Sequence, residues 1–391
     1  MTTVHDDGRG SLADVVPSLL AGLGVAGFAD RLGLTPARGV CLLLIDGLGW
    51  HALRKHPTDA PFLTSLTERS TPITAGFPAT TAASVASLGT GVPAGQHGIV
   101  GYTFATPEGA LINALSWHTH ASGDRVDLRE RFVPEDIQPR STALERATAA
   151  GVRVTLAVPH AHRDTGLNRA ALRGAEFQGV HALGDLAVHA LAGVSGSERS
   201  LCYAYHGDLD LLGHVYGVGS LPWRLQLGHV DRLAATIAEE LPPGVQLVVI
   251  ADHGMVTVPE EGRLDFDTEP ALQAGVRMLG GDPRARYLYT EPGATDDVLA
   301  AWRAHIGDRA WIRTRDEAIA AGWFGPVVED RIRDRIGDVI VAARTDIAIV
   351  RSRVTPKQSR LIGHHGSLTT AEQLVPLLVY NGADRGYGRN V

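Results

Sequence analysis

Hydrophobic positions along this chain gather in short unbroken runs, and the runs alternate with stretches of helical periodicity. Residues 40–45, Val-Cys-Leu-Leu-Leu-Ile, are six apolar residues in a row. A run of that length with no polar interruption predicts a strand buried on both faces, as in a parallel sheet. Residues 247–251 repeat the pattern, and 151–158 and 201–205 predict two further strands. Between them, helical patterns are read at 11–27, at 60–66 with Pro61 near its start, at 82–88, and at 223–240 ahead of Pro242-Pro243-Gly244. This alternation predicts an α/β fold, a doubly wound and mostly parallel sheet sandwiched by helices.

From residue 257 to 359 the pattern changes. Strand-like pieces at 285–289, 338–342 and 347–350 alternate with helical ones at 295–306 and 315–321. None of these strands ends on a metal-ligand type in a glycine turn. The stretch reads as an inserted α+β cap subdomain on a core made of 1–256 and 360–391, with a last strand at 374–380. No internal repeat or low-complexity tract stands out.

Composition narrows the class. The chain has 391 residues, enough for one large domain or a domain with a sizeable insertion. Hydrophobic residues make up 44% and charged residues 20%, within the globular range. A formal net charge of −7 gives no footprint for nucleic acid. No segment has the length of a membrane span. Residues 1–10 are polar and acidic, unlike a signal peptide, so the expected location is the cytoplasm. Two cysteines, Cys41 and Cys202, sit inside apolar strands and read as buried small side chains.

Candidate chemistry sits at the strand ends. The run at 40–45 ends on Asp46, ahead of Gly47-Leu48-Gly49, and the run at 247–251 ends on Asp252-His253-Gly254. Open α/β sheets place ligands at the carboxyl ends of their strands, and a carboxylate held there is costly unless paired or bound to a metal. Asp210 and His214, four apart, share one face if helical, with Asp208 as a neighbouring alternative. His364-His365-Gly366 adds imidazoles late in the chain. Taken singly, Asp46 is also a helix cap, Asp210 and His214 a surface pair, and the histidine doublet a solvated turn. Taken together, Asp46, Asp210, His214, Asp252, His253 and His365 are three carboxylates and three imidazoles, a mixture suited to zinc. Shared as three to each of two ions about 4 Å apart, they suit in-line displacement at phosphorus. The nucleophile is then sought as a hydroxyl at a helix start, which Phe77-Pro78-Ala79-Thr80-Thr81 and Ser84 offer. A lone threonine there would be read as an ordinary cap.

The order of these motifs resembles the alkaline phosphatase superfamily, most closely its type I phosphodiesterase/nucleotide pyrophosphatase branch. The matching strings are Leu44-Ile45-Asp46-Gly47, Thr81 through Thr90-Gly91 to His97-Gly98-Ile99, Asp210-Leu211-Leu212-Gly213-His214, Ala251-Asp252-His253-Gly254-Met255 and His365-Gly366. The resemblance covers roughly 38–256 and 360–381. It implies a zinc-dependent hydrolase of phosphate diesters or nucleotide pyrophosphate-type bonds, working through a phosphothreonine intermediate on a small-molecule phosphoester. Asp46, Asp252 and His253 would hold the zinc that activates the threonine, and Asp210, His214 and His365 the second. Mn²⁺ or Fe²⁺ also suits these ligand types.

In that branch the nucleophile lies ten residues before the glycine of a Thr-Gly pair, which here is Thr81, with Thr80 as the alternative. Relatives place an Asn three residues on to bind a phosphoryl oxygen, and here that position is Ser84, which has one hydrogen to donate instead of two. His97 is expected to be structural. Tyr102, Phe104 and Trp117 form either a wall for the ester group, with Tyr102 touching substrate, or plain core. A phosphonate hydrolase or a phosphomonoesterase on the same two-metal site is the alternative reading. A sulfatase is disfavoured, since neither Cys41 nor Cys202 lies in a C-x-P-x-R run. A catalytically silent metal-binding protein fits poorly with two full ligand sets beside a hydroxyl.

Overall fold

The computed structural model describes residues 8–120, 124–196 and 198–382, so the polar stretch at 1–7 lies outside the described residues. At its centre is a six-stranded sheet. Its members are β1 (Gly39–Ile45), β2 (Arg153–Pro159), β3 (Glu176–Val180), β4 (Ser200–His206), β5 (Val245–Ile250) and β6 (Leu377–Asn381). They lie in the order β6-β5-β1-β4-β2-β3. All neighbours are parallel except β6, which runs antiparallel to β5 at one edge. Every residue of β1 and β5 is buried, which is why both read as unbroken apolar runs. Each buried leucine or isoleucine there contributes roughly 1.5–3 kcal/mol of transfer free energy. Helix Leu183–Val194 covers β2 and β4, while Leu221–Glu240 packs against β5.

Register decides where the chemistry lands. Leu44 lies level with Tyr205 on one side and Ile250 on the other, and Ile45 with His206. The three central strands therefore finish together, and the segments following them emerge at one edge of the sheet. Cys41 and Cys202 are opposite one another in this register, buried and free. Among the described residues, no helix is long and apolar enough to cross a membrane.

Three expectations are corrected. The first helix spans Leu12–Gly22, and the chain turns away at Gly24, whose φ of +74° suits glycine. The single strand expected at 374–380 is two, Leu374–Val375 and β6, divided at Pro376. Proline has no N–H for a ladder, so the chain switches there from pairing with Ile73–Thr74 to pairing with β5. Between residues 257 and 359, two strands carried no sequence signal, Val276–Asp282 and Ala310–Thr314. They join Ala285–Thr290 and Val339–Ala343 in a four-stranded antiparallel sheet. Residues 347–350 do not enter it; Ala348–Val350 pairs with Arg263–Asp265.

This four-stranded sheet is buried on both faces. Leu279, Leu288, Val339 and Val341 pack with Val298 and Trp302 of helix Thr295–Ile306. Tyr287, Tyr289, Ile340 and Ala342, on the alternate positions, belong to the main core. Arg284 and Glu372, both fully buried, bond through two contacts of 2.8 Å and tie this sheet to the segment after His365.

Candidate metal centre and active site

Six side chains far apart in sequence meet at the carboxyl edge of the sheet, in two groups. Asp46, Asp252 and His253 form one, Asp210, His214 and His365 the other, and within each the ligand-type atoms lie inside 4.8 Å of one another. Asp46 follows β1 directly, and Asp252 follows β5 after Ala251. Asp210 and His214 lie four apart on helix α2 (Asp208–Tyr216); helix α1 is Thr81–Thr90. Asp208 is largely exposed, with only a 3.9 Å approach to His206, and stays outside the group. His365, not His364, faces the site: His364 turns its Nε2 to the Leu361 carbonyl. The His253 and His365 rings stack at 3.6 Å and join the two groups.

The three imidazoles share one arrangement. His253 Nδ1 faces Gly254 O at 3.1 Å, His214 Nδ1 faces Gly363 O at 2.7 Å, and His365 Nδ1 faces Ala79 O at 2.9 Å. A nitrogen that faces a carbonyl must carry the hydrogen, so in its neutral form each ring keeps its Nε2 lone pair for another partner. The carboxylates show the complement. Asp46 Oδ1, Asp210 Oδ1 and Asp252 Oδ2 are buried with no hydrogen-bond partner. Three unsatisfied carboxylate oxygens at one spot would each cost kilocalories unless a cation meets them. The donor set therefore fits metal ions.

Charge in the protein alone is strained accordingly. Burial, then the carboxylates of Asp252 and Asp210, push Asp46 well above the usual carboxylate range. Burial also works to raise Asp210, but His214, with His365 and His253, outweighs it and holds Asp210 low. Burial pulls His214 down while Asp210 more than restores it, leaving it raised. Burial and the neighbouring His253 drive His365 well below the usual imidazole value.

The threonine turn sits against the first group. Thr81 is the first residue of α1, and its Oγ1 lies 3.2 Å from His253 Nε2. That nitrogen is 3.4 Å from Asp46 Oδ1 and 3.5 Å from Asp252 Oδ2, so the hydroxyl meets this group at its imidazole. Thr80 faces elsewhere, donating to Asp282 Oδ1 at 3.0 Å. Ser84 departs from its expected role. Its hydroxyl is buried and donates to the Asp252 backbone carbonyl at 2.8 Å, so its one hydrogen is not free for a phosphoryl oxygen.

Tyr102 is partly exposed and accepts a hydrogen bond from Asn113 Nδ2 at 2.8 Å, with its ring edge-on to His120. Phe104 and Trp117 are core, Trp117 donating from Nε1 to Phe132 O at 2.7 Å. His97 is buried between Ser87 and the Ile99 N–H, a structural place, as expected.

Sequence reasoning missed Asp282. It ends strand Val276–Asp282, behind Gly281 at φ +76°, and it is buried between the threonine turn and Tyr102, whose N–H donates to its Oδ2 at 3.3 Å. Burial pushes its carboxyl up to about 6. A glycine followed by an acidic residue at a strand end was the available signal, hidden because residues 276–282 have no apolar alternation. Tyr205 was also missed. Its hydroxyl donates to Asp46 Oδ2, and burial, with Asp46 and Asp252 nearby, holds the phenol well above its usual range and so protonated.

Comparison with known proteins adds the family. The model of the type I phosphodiesterase / nucleotide pyrophosphatase family matches residues 40–368. No curated protein sequence matches the chain significantly. The fold is similar to that of human ectonucleotide pyrophosphatase/phosphodiesterase 5, at 18% identity and a TM-score of 0.65, over 88% of this chain and 87% of that one. It is similar to the murine protein of the same name, in an inactive threonine-to-alanine variant bound to AMP, at 17% identity and a TM-score of 0.64, over 88% and 87%. Phosphonoacetate hydrolase from Sinorhizobium meliloti, in complex with phosphonoacetate, is similar at 18% identity and a TM-score of 0.64, over 88% and 90%. At these identities the structures bear on the fold, while the family match spans most of the chain. The chain belongs to the type I phosphodiesterase/nucleotide pyrophosphatase family.

Proposed function

We propose that this phosphoester hydrolase cleaves phosphate diesters or nucleotide pyrophosphate-type bonds on two zinc ions, through a phosphothreonine at Thr81. The observation that carries the reading is the Thr81 hydroxyl at the start of α1, 3.2 Å from His253 Nε2, the imidazole grouped with the orphaned oxygens of Asp46 and Asp252. Asp46, Asp252 and His253 would hold one ion, and Asp210, His214 and His365 the other. Such ions supply positive charge where the attacking and departing oxygens become negative. Thr81 Oγ attacks phosphorus, the ester oxygen departs on the opposite side, and water later displaces the threonine in turn. The first N–H groups of α1, which lack intrahelical partners, hold a phosphoryl oxygen and compensate for the engaged Ser84. The inactive threonine variant of the murine neighbour, bound to AMP, supports a threonine at the centre and a nucleotide-type substrate. The segment 257–359, which brings Asp282 to Thr80 and to the Tyr102 N–H, would select the leaving group together with Tyr102.

The test is hydrolysis of bis-p-nitrophenyl phosphate against p-nitrophenyl phosphate, on protein stripped by chelation and reloaded with zinc. Faster, zinc-dependent diester cleavage is the expected result. Faster monoester cleavage would make the protein a phosphatase on the same residues. Turnover of phosphonoacetate alone would favour the chemistry of the Sinorhizobium meliloti neighbour.

A further inference from the structure

Strand β4 grips Asp46 twice. The Asp46 N–H donates to the His206 carbonyl at 2.9 Å, and the Tyr205 hydroxyl, one residue earlier, donates to Asp46 Oδ2. Oδ1 is left buried, without a hydrogen-bond partner, facing His253 Nε2. Asp252 divides its oxygens in the same way. Its Oδ1 accepts from the Gly47 and His253 N–H groups at 3.1 and 3.0 Å, and Oδ2 is unpartnered. In Asp252 the backbone enforces this division, so no side-chain substitution removes it. In Asp46 one phenol does.

The phenol has a slot of its own. A Cβ at Gly207 would stand 2.9 Å from the Tyr205 hydroxyl oxygen, so the position after β4 is left without one. The His162 ring lies near the phenol, tilted at 54° with centroids 5.7 Å apart. Tyr205 is thereby held with its hydroxyl aimed at one carboxylate oxygen, although the reaction needs no group there.

We propose that Tyr205 is a positioning residue for the metal group of Asp46, Asp252 and His253, and that it sets which cation that group prefers. This rests on the two-metal reading above. A hydroxyl hydrogen on Oδ2 draws charge to that oxygen and turns Asp46 to offer Oδ1 alone. One oxygen from each aspartate and one imidazole nitrogen make a compact three-donor set with an open position, the arrangement zinc takes in catalytic sites. Freed of the hydroxyl, Asp46 can swing to offer both oxygens, which suits larger cations that favour more oxygen ligands, manganese among them. Partners that orient ligands commonly change metal affinity by about 10- to 100-fold.

The experiment measures zinc and manganese binding directly, by competition with a chromophoric chelator and by metal stoichiometry, without reference to turnover. Tyr205→Phe keeps the ring and removes the hydrogen bond. It is expected to bind one zinc as the wild type does and the second about 10- to 100-fold more weakly, with a smaller preference for zinc over manganese at that site. Gly207→Ala, which crowds the hydroxyl without deleting it, is the second variant and is expected to weaken the same site. Asp46→Ala is the control and should lose one ion. Wild-type affinities and preference in folded Tyr205→Phe would overturn the proposal, as would a loss shared equally by both sites. Two tight zinc ions in Asp46→Ala, or fewer than two in the wild type, would instead remove the two-metal reading itself, and this proposal with it.

Discussion

Thr80 and Thr81 are adjacent hydroxyls with different partners, and the difference is testable. Thr81 borders His253 Nε2, whereas Thr80 is spent on Asp282. Thr81→Ala is expected to lower kcat by at least about 10³-fold, the order of loss when a nucleophile is removed, with bound metal unchanged by elemental analysis. Thr80→Val should lose much less. Full loss in Thr80→Val with turnover kept in Thr81→Ala would move the nucleophile by one residue. His97 makes a separate prediction. It accepts at Nδ1 from the Ile99 N–H, and burial lowers it to about 3, so it stays neutral in the folded chain. An unfolded histidine takes up its proton near 6.5, so folding gains nothing from His97 above that pH and loses stability as pH falls from 6.5 toward 3. Between pH 6.5 and 5 its share of the loss is about 1.5–2 kcal/mol. Urea unfolding of His97→Gln should therefore show a shallower acid slope than the wild type, and equal slopes would show that the folded state accepts the proton. What the sequence could not reveal at this scale is where a hydroxyl points. Ser84 stands at the position of a phosphate-binding Asn, yet its donor goes to a carbonyl 168 residues away, which spacing along α1 does not reveal.

At the scale of elements, legibility followed burial. β1 and β5 are buried along their whole length and read directly as apolar runs, and the aspartates at their ends stood out for the same reason. The strand Val276–Asp282 begins with half-exposed residues and ends in Gly-Gly-Asp, so neither period nor propensity marked it, and Asp282 went unseen with it. Its neighbour Arg284 shows what the cap sheet does for the site. The Arg284 guanidinium bonds both oxygens of buried Glu372 and the carbonyls of Thr345 and Ile347. Glu372 also accepts the Ser367 N–H at 2.9 Å, two residues from His365. Removing one partner of a buried pair leaves the other charge uncompensated, at about 3–5 kcal/mol. Glu372→Ala should lose that much in denaturant unfolding. The paired change Arg284→Met with Glu372→Leu should recover a good part of it, since apolar groups of similar volume leave no orphan charge. A single variant of wild-type stability would mean that the pair does not hold the cap to the turn carrying His365.

For the molecule as a whole, the fold concentrates negative charge that a chain of net charge −7 gives no other reason to bury. Asp46, Asp210 and Asp252 meet where three strands end level, and each leaves one oxygen unsatisfied. Ions that bind the folded chain and not the unfolded one stabilise it by mass action, about 2.7 kcal/mol per site at a hundredfold excess over Kd. Protein stripped by chelation should therefore melt several degrees below protein reloaded with zinc. The pH dependence of that gap has a definite sign. Without metal, burial and the neighbouring carboxylates make Asp46 hold its proton more tightly than a free carboxyl, and Asp210 does the same for His214 against the pull of burial. Both protons must leave before the ligand atoms can serve, so binding releases protons and weakens as pH falls. The melting gap between reloaded and stripped protein should widen from pH 6 to pH 8 in scanning calorimetry. Asp46→Asn, which has no proton to release at that position, should show a smaller gap with a flatter slope. A gap of the same size at every pH would mean that the ions stabilise the fold without displacing these protons, and Asp46 and His214 would then have to be sought outside the metal groups.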